Sequence, residues 1–476
     1  MKYEIISIGI CFILVITIVF PVKGTITKSV THDSMPFTYH TNNEFVSGEL
    51  IVKLKNDAVF HKSAFIMLNA KHHVYTFKKL FPNVEDTLLD NIYILHIPKE
   101  ANIFSIVLDY ALSPDVVYVE PNGIAYACGT PDDEFFSNQW SLQNMGQVIR
   151  IQKALGPITL PFRCSGTFDA DIDAPEAWDL ETGNPDVVIA ILDTGIDYTH
   201  PDLMENIWEN MNEIPGDSID NDGNGYIDDI RGWDFAYDDN DPQDELGHGT
   251  ACAGIAGAVG NNGIGISGVC WNCTIMPIQV MDETGSGYWT DMAQGIIYAA
   301  DNGADVISMS FGGYDVPNLL LDAVNYAYTK GVFLCAAAGN HNEQNKTYPA
   351  AYEHVTAVGM TNLHDRRAHF LRFGSNYGDW VDIAAPGSII YSTSPTYYIS
   401  PFVKASYDSW SGTSFATPMV AGAAALLLSK DSTLTPDEVK AFLCNNVDPY
   451  SGNKYIGTGR LNAYKALVNL TSLTPK

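Results

Sequence analysis

Three short polar segments contain the residue types that nucleophilic attack on a carbonyl group requires. Asp193 ends an apolar run, which predicts a carboxylate at the carboxyl end of a strand, where α/β folds build their sites. His248 and Ser414 each stand at the start of a predicted helix, with a glycine within two residues. An acid can orient an imidazole, the imidazole can remove a proton, and the hydroxyl can attack the carbonyl. Each residue alone would be structural more often than catalytic, so the prediction depends on the set.

The elements that must position these residues alternate along the second part of the chain. Apolar strand-like runs are each followed by a longer helical segment, a pattern that favours a parallel β-sheet covered by helices on both faces. The predicted strands are residues 187–192, 274–280, 306–310 and 332–337, and the predicted helices are residues 248–259, 292–302, 318–330 and 413–429.

Residues 25–127 differ from the rest in pattern and in charge. Strand-like segments at 49–54, 91–97 and 116–121 are interspersed with helix-like segments at 64–71 and 101–112, which predicts a small α+β unit. Nearly all of the formal net charge of -30 falls on residues 128–476. We therefore predict two modules with a boundary near residue 127.

The composition indicates a folded protein that is not expected to bind nucleic acid. Of the 476 residues, 46% are hydrophobic and 17% are charged, which excludes disorder for most of the chain. Lys and Arg total 26 against 56 Asp and Glu, so nucleic acid is not an expected partner. The acidity suits cation binding, but a plain solvated acidic surface is the favoured interpretation.

The N-terminus carries an almost wholly apolar run, residues 5–22, between Lys2 and Lys23. A basic start followed by such a run predicts a secretory signal, here residues 1–24, and hence a secreted protein. The run is also just long enough to span a bilayer, so an uncleaved membrane tether is the alternative.

Cys270 and Cys273 form a single C-x-x-C pair. Outside the cytoplasm the pair could form a local disulfide, and two buried thiols are the alternative. The signal for zinc is weak because a structural zinc site uses four ligands. Cys335 lies inside an apolar run and is predicted to be a small core residue.

The three polar segments together resemble the motifs of the subtilisin-like serine peptidases, or subtilases, and especially their thermitase-like members. The matching segments are Asp-Thr-Gly-Ile-Asp at 193–197, His-Gly-Thr at 248–250 and Gly-Thr-Ser-Phe-Ala-Thr-Pro at 412–418. The resemblance extends from about residue 132 to the end and has the subtilisin order Asp, His, Ser. It implies a serine endopeptidase in which Ser414 attacks, His248 transfers the proton and Asp193 orients the imidazole.

The resemblance also implies a substrate cleft. Asn340 ends a segment, 336–340, that is similar to the oxyanion-hole segment of the family. Ser310, Phe311 and Gly312 resemble the strand that pairs with an extended substrate, and residues 347–350 resemble the other side of the specificity pocket. Because neither segment carries an acid, we expect broad cleavage of protein substrates after apolar residues.

An acidic segment before His248 has the alternating oxygen ligands of a calcium loop. The twelfth position of such a loop is Arg231 instead of Glu, and a solvated acidic loop is the alternative. The candidate ligands are Asp220, Asp222, Asn224, Tyr226 through its carbonyl, Asp228, and Asp229 in place of the missing Glu. Two further calcium sets rest on the resemblance to subtilases alone: Asp133, Asp202 and Asn262, and Asp234, Asp239, Asp241 and Gln243.

Residues 25–127 are similar in position and length to a subtilase propeptide, which assists folding and inhibits the enzyme until it is removed. The expected processing point lies between about Asn122 and Asp132, and we expect a monomer. A permanent binding domain is the alternative for this module. For the whole chain, the alternatives are an inactive subtilase-like binding protein and a sedolisin. The first is disfavoured because all four catalytic positions are filled, and the second because sedolisins use Glu and Asp in place of His248.

Overall fold

The computed structural model describes residues 45–55, 63–82, 89–99, 101–123, 130–155, 158–370, 372–397, 406–452 and 454–473. The predicted signal segment, residues 1–24, lies outside these ranges. The chain divides into two compact units, and the division falls after Tyr126. Across the described residues, every helix is too short or too polar to cross a membrane.

The N-terminal unit is an antiparallel sheet with two helices. The sheet has the order β2-β3-β1-β4, and alternate residues of β1 (Leu50 and Val52) are fully buried in a core shared with α2. This is the predicted α+β arrangement, with β2 as an additional strand. The strands are β1 (Phe45–Leu54), β2 (Thr76–Lys79), β3 (Ile92–His96) and β4 (Val116–Gly123), and the helices are α1 (Ser63–Lys71) and α2 (Ile103–Ala111).

The second unit contains a long, mostly parallel sheet, three two-stranded antiparallel sheets and seven α-helices among its described residues. Its strands are β5 (Val148–Leu155), β6 (Ile158–Ser165), β7 (Val188–Asp193), β8 (Trp233–Asp234), β9 (Thr274–Gln279), β10 (Val306–Met309), β11 (Phe333–Ala337), β12 (Val355–Asn362), β13 (Arg366–Arg367), β14 (His369–Phe370), β15 (Phe373–Gly374), β16 (Ile383–Pro386), β17 (Ser388–Ser394), β18 (Ser406–Ser411), β19 (Val447–Asp448) and β20 (Arg460–Leu461). Its helices are α3 (Ala174–Trp178), α4 (His248–Gly257), α5 (Trp289–Asp301), α6 (Asn318–Thr329), α7 (Thr413–Lys430), α8 (Pro436–Asn445) and α9 (Ala463–Leu473).

The main sheet runs in the order β19-β20-β16-β12-β11-β10-β7-β9-β8, with β13 beside β12. The four predicted strands correspond to β7, β9, β10 and β11, which are neighbours and parallel. All six residues of β7 are buried because helices cover both faces of the sheet. The predicted α/β class with a parallel sheet is therefore confirmed.

The two faces of the sheet have separate cores. One core includes residues of α4 and α7, such as Ala251 and Val420, and the other includes residues of α5 and α6, such as Ile296 and Val324. Most residues of α4 are Ala or Gly, and α7 carries an Ala and Gly run at residues 421–425, so the two helices can approach each other closely. Because parallel strands end together, the last residue of β7 lies at the same sheet edge as the ends of β10 and β11.

The cysteine predictions can be compared with this core. Cys335 of β11 is fully buried, as predicted. Cys270 and Cys273 are joined by a disulfide, so the local-disulfide alternative describes the structure.

Candidate active site

Asp193 and His248 form a direct ion pair at the end of β7. The carboxylate is fully buried, and its Oδ1 accepts from His248 Nδ1 at 2.6 Å and from Thr194 N–H at 2.8 Å. Burial disfavours the charged imidazole, but the Asp193 carboxylate outweighs this and raises the pKa of His248 well above its ordinary value. The pair assigns Nδ1 to the acid and leaves Nε2 for a substrate or nucleophile.

Ser414 lies at the start of α7, which runs for 18 residues. Its Oγ donates to the carbonyl oxygen of Ser310 at 3.2 Å, and the residue is 9% exposed. The ring of the next residue, Phe415, is 5.1 Å from the His248 ring, centroid to centroid. The helix N-terminus presents N–H groups and a positive dipole end, which favour negative charge that develops beside Ser414.

Close approach of two backbones brings His248 to Asp193. A Cβ on Gly249 would lie 2.1 Å from the carbonyl oxygen of Gly195 and 3.0 Å from Asp193 Cβ. Any side chain at position 249 would therefore push α4 away from the loop after β7. The glycine of His-Gly-Thr is a packing requirement for the ion pair.

Asp244, a second buried carboxylate, organises the start of α4. Its Oδ1 accepts from Leu246 N–H, Gly247 N–H and the Thr194 hydroxyl at 2.7–2.9 Å. Its Oδ2 accepts from Thr250 N–H at 2.8 Å and from the Thr250 hydroxyl at 2.6 Å. Burial raises the pKa of Asp244 despite these donors. Because Thr194 follows Asp193, the carboxylate ties the loop after β7 to the helix that carries His248.

Asn340 follows β11, and its side chain contacts the residue before Ser414. Asn340 Oδ1 accepts from Thr413 N–H at 2.8 Å and from the Thr413 hydroxyl at 3.1 Å. Two donors on one oxygen fix the orientation of the amide. The Nδ2 hydrogens are consequently the end that is left to bind a ligand.

Cys252 lies one helical turn after His248. Its Sγ is 4.0 Å from His248 Nδ1 and 3.4 Å from the Ser414 carbonyl oxygen, and the residue is fully buried. Burial raises the pKa of the Cys252 thiol to about 11, so the thiol stays protonated near neutral pH. It packs between the helices that carry His248 and Ser414, and it is not a second nucleophile.

The segment Ser310, Phe311 and Gly312 follows β10 along the cleft. Ser310 and Phe311 are buried, whereas Gly312 is exposed. The next residue, Gly313, exchanges backbone hydrogen bonds with Tyr348 at 2.8 and 3.0 Å. Thr347 is 5% exposed, and its side-chain atoms lie 3.6 Å and 3.3 Å from where Cβ atoms would stand on Gly312 and Gly339. Thr347 therefore closes the space between the segments that end in these two glycines.

The acidic loop, defined here as residues 213–229, gathers several carboxylates. Ligand oxygens of Glu213, Asp220 and Asp222 lie within 4.8 Å of one another. Both Asp220 oxygens accept backbone N–H groups, and Asn224 Nδ2 donates to Asp222 at 3.3 Å. Glu213 is 6% exposed and was not among the predicted ligands.

Asp229 shares neighbours with this cluster, because Asn224 Nδ2 and Asn210 Nδ2 each donate to both Asp222 and Asp229. Asp229 is fully buried and accepts from the Tyr298 hydroxyl at 2.6 Å and from Asn210 Nδ2 at 2.8 Å. The Asp228 carboxylate accepts the N–H groups of residues 216 and 218. The ring of Tyr226 packs among aromatic side chains.

The set of Asp133, Asp202 and Asn262 comes together. Asp133 accepts from Asn262 N–H at 3.2 Å, and Asp202 accepts from Asn262 Nδ2 at 3.1 Å. Burial raises the pKa of Asp202 to about 6. An ionised pair of carboxylates in this place is therefore costly unless a cation compensates it.

The set of Asp234, Asp239, Asp241 and Gln243 is brought together only in part. Asp234 and Asp239 exchange backbone hydrogen bonds, and burial raises the pKa of Asp234 to about 7. The Asp241 carboxylate accepts from a tyrosine hydroxyl at 2.6 Å, and Gln243 Nε2 donates to Asp197 at 3.4 Å.

Comparison with known sequences decides the family. A sequence profile of the Subtilase family matches residues 184–464, which is more than half of the chain. The chain belongs to the subtilase family. The match spans Asp193, His248, Asn340 and Ser414, and it confirms the resemblance found in the sequence.

Named relatives of this subtilase include a serine proteinase. It is 44% identical over 297 residues to thermitase of Thermoactinomyces vulgaris, a match covering 62% of this chain and 93% of that one. It is 35% identical over 433 residues to the thermophilic serine proteinase of Bacillus sp. strain AK1, covering 90% and 89%. A solved protease structure from Pseudoalteromonas arctica PAMC 21717 is 30% identical with a TM-score of 0.56, covering 72% of this chain and all of that one. The protein is a serine-type endopeptidase.

Several residues that shape this site have weak sequence signals. Asp244 is one of five acidic residues at 238–245, so nothing in the amino-acid sequence distinguishes it from a solvent-exposed acid. Glu213 precedes the calcium-like pattern and falls outside its spacing. Thr413 could have been found, because it lies within the motif that contains Ser414.

Proposed function

We propose that this subtilase is a secreted, calcium-stabilised endopeptidase made as a self-processed precursor, with Ser414 as nucleophile, His248 as general base and acid, Asp193 as the orienting acid and Asn340 as an oxyanion donor. The observation that carries the proposal is the 2.6 Å bond from His248 Nδ1 to Asp193, which points Nε2 away from the acid.

In the acylation step, Ser414 Oγ attacks the carbonyl carbon of a peptide bond while His248 Nε2 accepts its proton. The Asp193 carboxylate stabilises the resulting imidazolium, in keeping with the raised pKa of His248. His248 then returns the proton to the leaving amine and a peptidyl ester on Ser414 remains. Water, deprotonated by the same imidazole, hydrolyses the ester and restores the Ser414 hydroxyl.

The negative oxygen of each tetrahedral intermediate is stabilised by two donors. One is the backbone N–H of Ser414 at the positive end of α7, and the other is Asn340 Nδ2. The contact of Asn340 Oδ1 with Thr413 orders this amide before substrate arrives, so little reorganisation is needed in the transition state.

Substrate pairs as an extended strand with Ser310, Phe311 and Gly312. Ser310 and Phe311 are buried, and the Ser310 hydroxyl donates to the Ser414 carbonyl oxygen at 2.7 Å, whereas Gly312 is exposed. Thr347 limits the depth of the pocket between Gly312 and Gly339. This arrangement favours small or medium apolar side chains at the residue before the cleaved bond.

Calcium would be held first by Glu213, Asp220 and Asp222, with Asn224 beside them. Their oxygens lie within 4.8 Å of one another, and Ca²⁺ prefers hard oxygen ligands of this kind. Asp133, Asp202 and Asn262 form a second set, in which burial of Asp202 makes an uncompensated charge costly. Calcium supplies charge compensation to the native state, and it takes no part in the reaction.

The precursor proposal concerns residues 1–127. The match to the thermophilic serine proteinase covers 90% of the chain, so it extends into the N-terminal unit. A separate compact unit that ends at Tyr126 has the size of an inhibitory propeptide. Residues 1–24 serve as the signal, and self-processing occurs between about Asn122 and Asp132. The propeptide then acts as an intramolecular inhibitor of a monomeric enzyme.

The test is expression of the full chain with calcium as wild type and as Ser414→Ala, followed by intact mass and casein hydrolysis. We expect wild type to lose about the first 125 residues and to digest casein, and Ser414→Ala to remain full length and inactive. If both proteins stay intact and inactive in calcium, the chain is a subtilase-like binding protein. If Ser414→Ala also loses its N-terminal unit, processing is not intramolecular.

A further inference from the structure

We propose that Asn376 is a positioning residue for catalysis: it holds the oxyanion loop, defined here as residues 339–343, so that the Asn340 amide faces the reaction centre. The inference rests on the proposed role of Asn340 as an oxyanion donor. Asn376 lies outside the three motif segments, and its side chain forms none of the hydrogen bonds described above for Asp193, His248 or Ser414.

The backbone around Asn376 runs along the whole oxyanion loop. Asn376 N–H donates to Gly339 O at 2.8 Å, and Gly374 N–H donates to Asn340 O at 3.0 Å. Asn342 N–H donates back to Gly374 O at 2.9 Å. These bonds hold the backbone of the loop beside residues 374–376. They do not bind the N–H groups of His341 and Glu343, which follow Asn340 in the turn.

The Asn376 side chain closes that turn. It is fully buried, and its Oδ1 accepts from His341 N–H at 3.0 Å and from Glu343 N–H at 3.3 Å. Two N–H donors on one oxygen settle which end of the amide is the acceptor. Nδ2 is buried and without a hydrogen-bond partner in the described part of the chain. A buried donor without a partner destabilises the folded state. The favourable contribution of the Asn376 side chain therefore comes from the hydrogen bonds that Oδ1 accepts.

Asn340 is consequently fixed from both ends. Thr413 binds its side-chain oxygen, and Asn376 orders the backbone of the residues that follow it. Gly339, with φ of +98°, completes the arrangement, because a Cβ there would lie 2.6 Å from Asn376 Nδ2. The side chain of Asn376 thus packs directly under the loop that presents Asn340.

This arrangement predicts an effect on the transition state more than on substrate binding. Oxyanion donors stabilise negative charge only when they are already in place, and small displacements reduce the rate. Loss of the Asn376 acceptor would free two backbone N–H groups and loosen the turn. The substrate strand at Ser310–Gly312 belongs to a different segment, so KM should change little.

The experiment compares four variants of the full chain: Asn376→Ala, Asn376→Asp, Asn340→Ala and the double variant Asn340→Ala/Asn376→Ala. Active enzyme is counted with an active-site titrant, and kcat, KM and the Ki of a peptide boronic acid are measured. Asn144→Ala is the matched control, because Asn144 is a 1% exposed asparagine whose oxygen accepts Gly146 N–H.

We expect Asn340→Ala to lower kcat by about 10²–10³, the size known for such a donor in subtilisins themselves. Asn376→Ala should lower kcat about tenfold and raise the boronate Ki in parallel, with KM within about twofold. Asn376→Asp, which keeps an acceptor oxygen, should recover part of the loss. In the Asn340→Ala background, Asn376→Ala should reduce kcat less than about twofold further.

The inference is overturned if Asn376→Ala leaves kcat unchanged, or if its effect is as large with Asn340 absent as with Asn340 present. It is also overturned if Asn144→Ala lowers kcat equally at the same loss of thermal stability. A full kcat for Asn340→Ala would instead contradict the proposed function of Asn340 itself. Should Asn376→Ala fail to fold, Asn376→Asp and its double variant with Asn340→Ala supply the same comparison.

Discussion

The catalytic cleft and the acidic loop both depend on carboxylates, but they neutralise them differently. In the cleft, Asp193 faces an imidazole and Asp244 faces five N–H and hydroxyl donors. In the acidic loop, Glu213, Asp220 and Asp222 bring their oxygens within 4.8 Å of one another, with neutral N–H groups around them.

The difference indicates separate roles. A carboxylate that faces donors, with no second carboxylate against it, keeps neighbouring groups in place without an added ion. A cluster of carboxylates repels itself, and a divalent cation removes that repulsion. Activity should therefore depend on the cleft residues, and calcium-dependent stability on the acidic loop. Changes in one region should leave the property of the other region unaltered.

The largest effect is expected from Ser414→Ala. Loss of the nucleophile should reduce kcat about 10⁶-fold, a magnitude known from subtilisin. The unfolding midpoint of the uncleaved Ser414→Ala protein should still rise with calcium, because no hydrogen bond joins Ser414 to the acidic loop among the described residues. Hydrolysis of a chromogenic peptide and thermal unfolding with and without calcium measure the two quantities. A lost calcium response would break the separation of the two regions.

Asp193→Asn should reduce kcat by about 10⁴-fold, again a magnitude known from serine proteases. The sign of the pH effect follows from the raised pKa of His248: the base is active only when neutral, so activity is lost as pH falls through that pKa. We expect the acid limb of kcat/KM in wild type to lie above the ordinary histidine pKa of about 6.5. In Asp193→Asn the limb should move to lower pH, and an unmoved limb would show that another group titrates.

Removal of calcium should destabilise the protein and spare the cleft chemistry. At a calcium concentration of about 100 times Kd, one site adds about 2.7 kcal/mol, which chelation would remove. Glu213→Gln should reduce this calcium response. The matched control is Glu209→Gln, an exposed acid that is 3.8 Å from Arg231. Equal responses of the two variants in differential scanning calorimetry would exclude Glu213 as a ligand.

Asp244→Asn tests whether the hydrogen bonds that the Asp244 carboxylate accepts stabilise the start of α4. The amide can accept at only one oxygen, so part of the five-bond network is lost. We expect a destabilisation of about 2 kcal/mol and a decrease of about tenfold in kcat. Asp238→Asn, an exposed acid nearby, should change neither quantity. The same stability loss without any change in kcat would make Asp244 purely structural.

Thr347→Gly is expected to have the smallest effect. Removing this side chain deepens the space between Gly312 and Gly339. The ratio of kcat/KM for Phe over Ala before the cleaved bond should rise about tenfold, the usual size for one or two methyl groups in a pocket. The increase in stability that calcium produces should be unchanged, although loss of the buried hydrogen bond from Thr347 to the Ala338 carbonyl oxygen lowers stability itself. An unchanged ratio would show that the pocket is closed by another residue.

The sequence allowed the central parts of the fold to be predicted because they are periodic or locally distinctive. Strands β7, β9, β10 and β11 are short buried apolar runs, and each is close to its predicted bounds. Asp193, His248 and Ser414 lie in long motifs whose order is specific to the family. Such signals depend only on residues that are close in the sequence, so they can be recognised before any tertiary contact is known.

The unpredicted parts depend on contacts between distant segments. Strand β12 contains Thr and Gly and is buried only because the sheet continues on both sides of it. Asn376 and Asp244 act through backbone groups that come close only after folding. Helix α8 is different, since Thr435 and Glu438 form a capping box that could have been recognised in the sequence.

The central claim is that Ser414 is a nucleophile activated by His248 in the cleft. The most direct test is labelling of the calcium-bound protein with a fluorophosphonate, followed by peptide mapping, for wild type and His248→Ala, each after its N-terminal unit has been removed by limited proteolysis. We predict a single label on Ser414 in wild type and a rate of labelling at least about 10³-fold lower in His248→Ala. A label on another residue, or equal rates for the two proteins, would contradict the account.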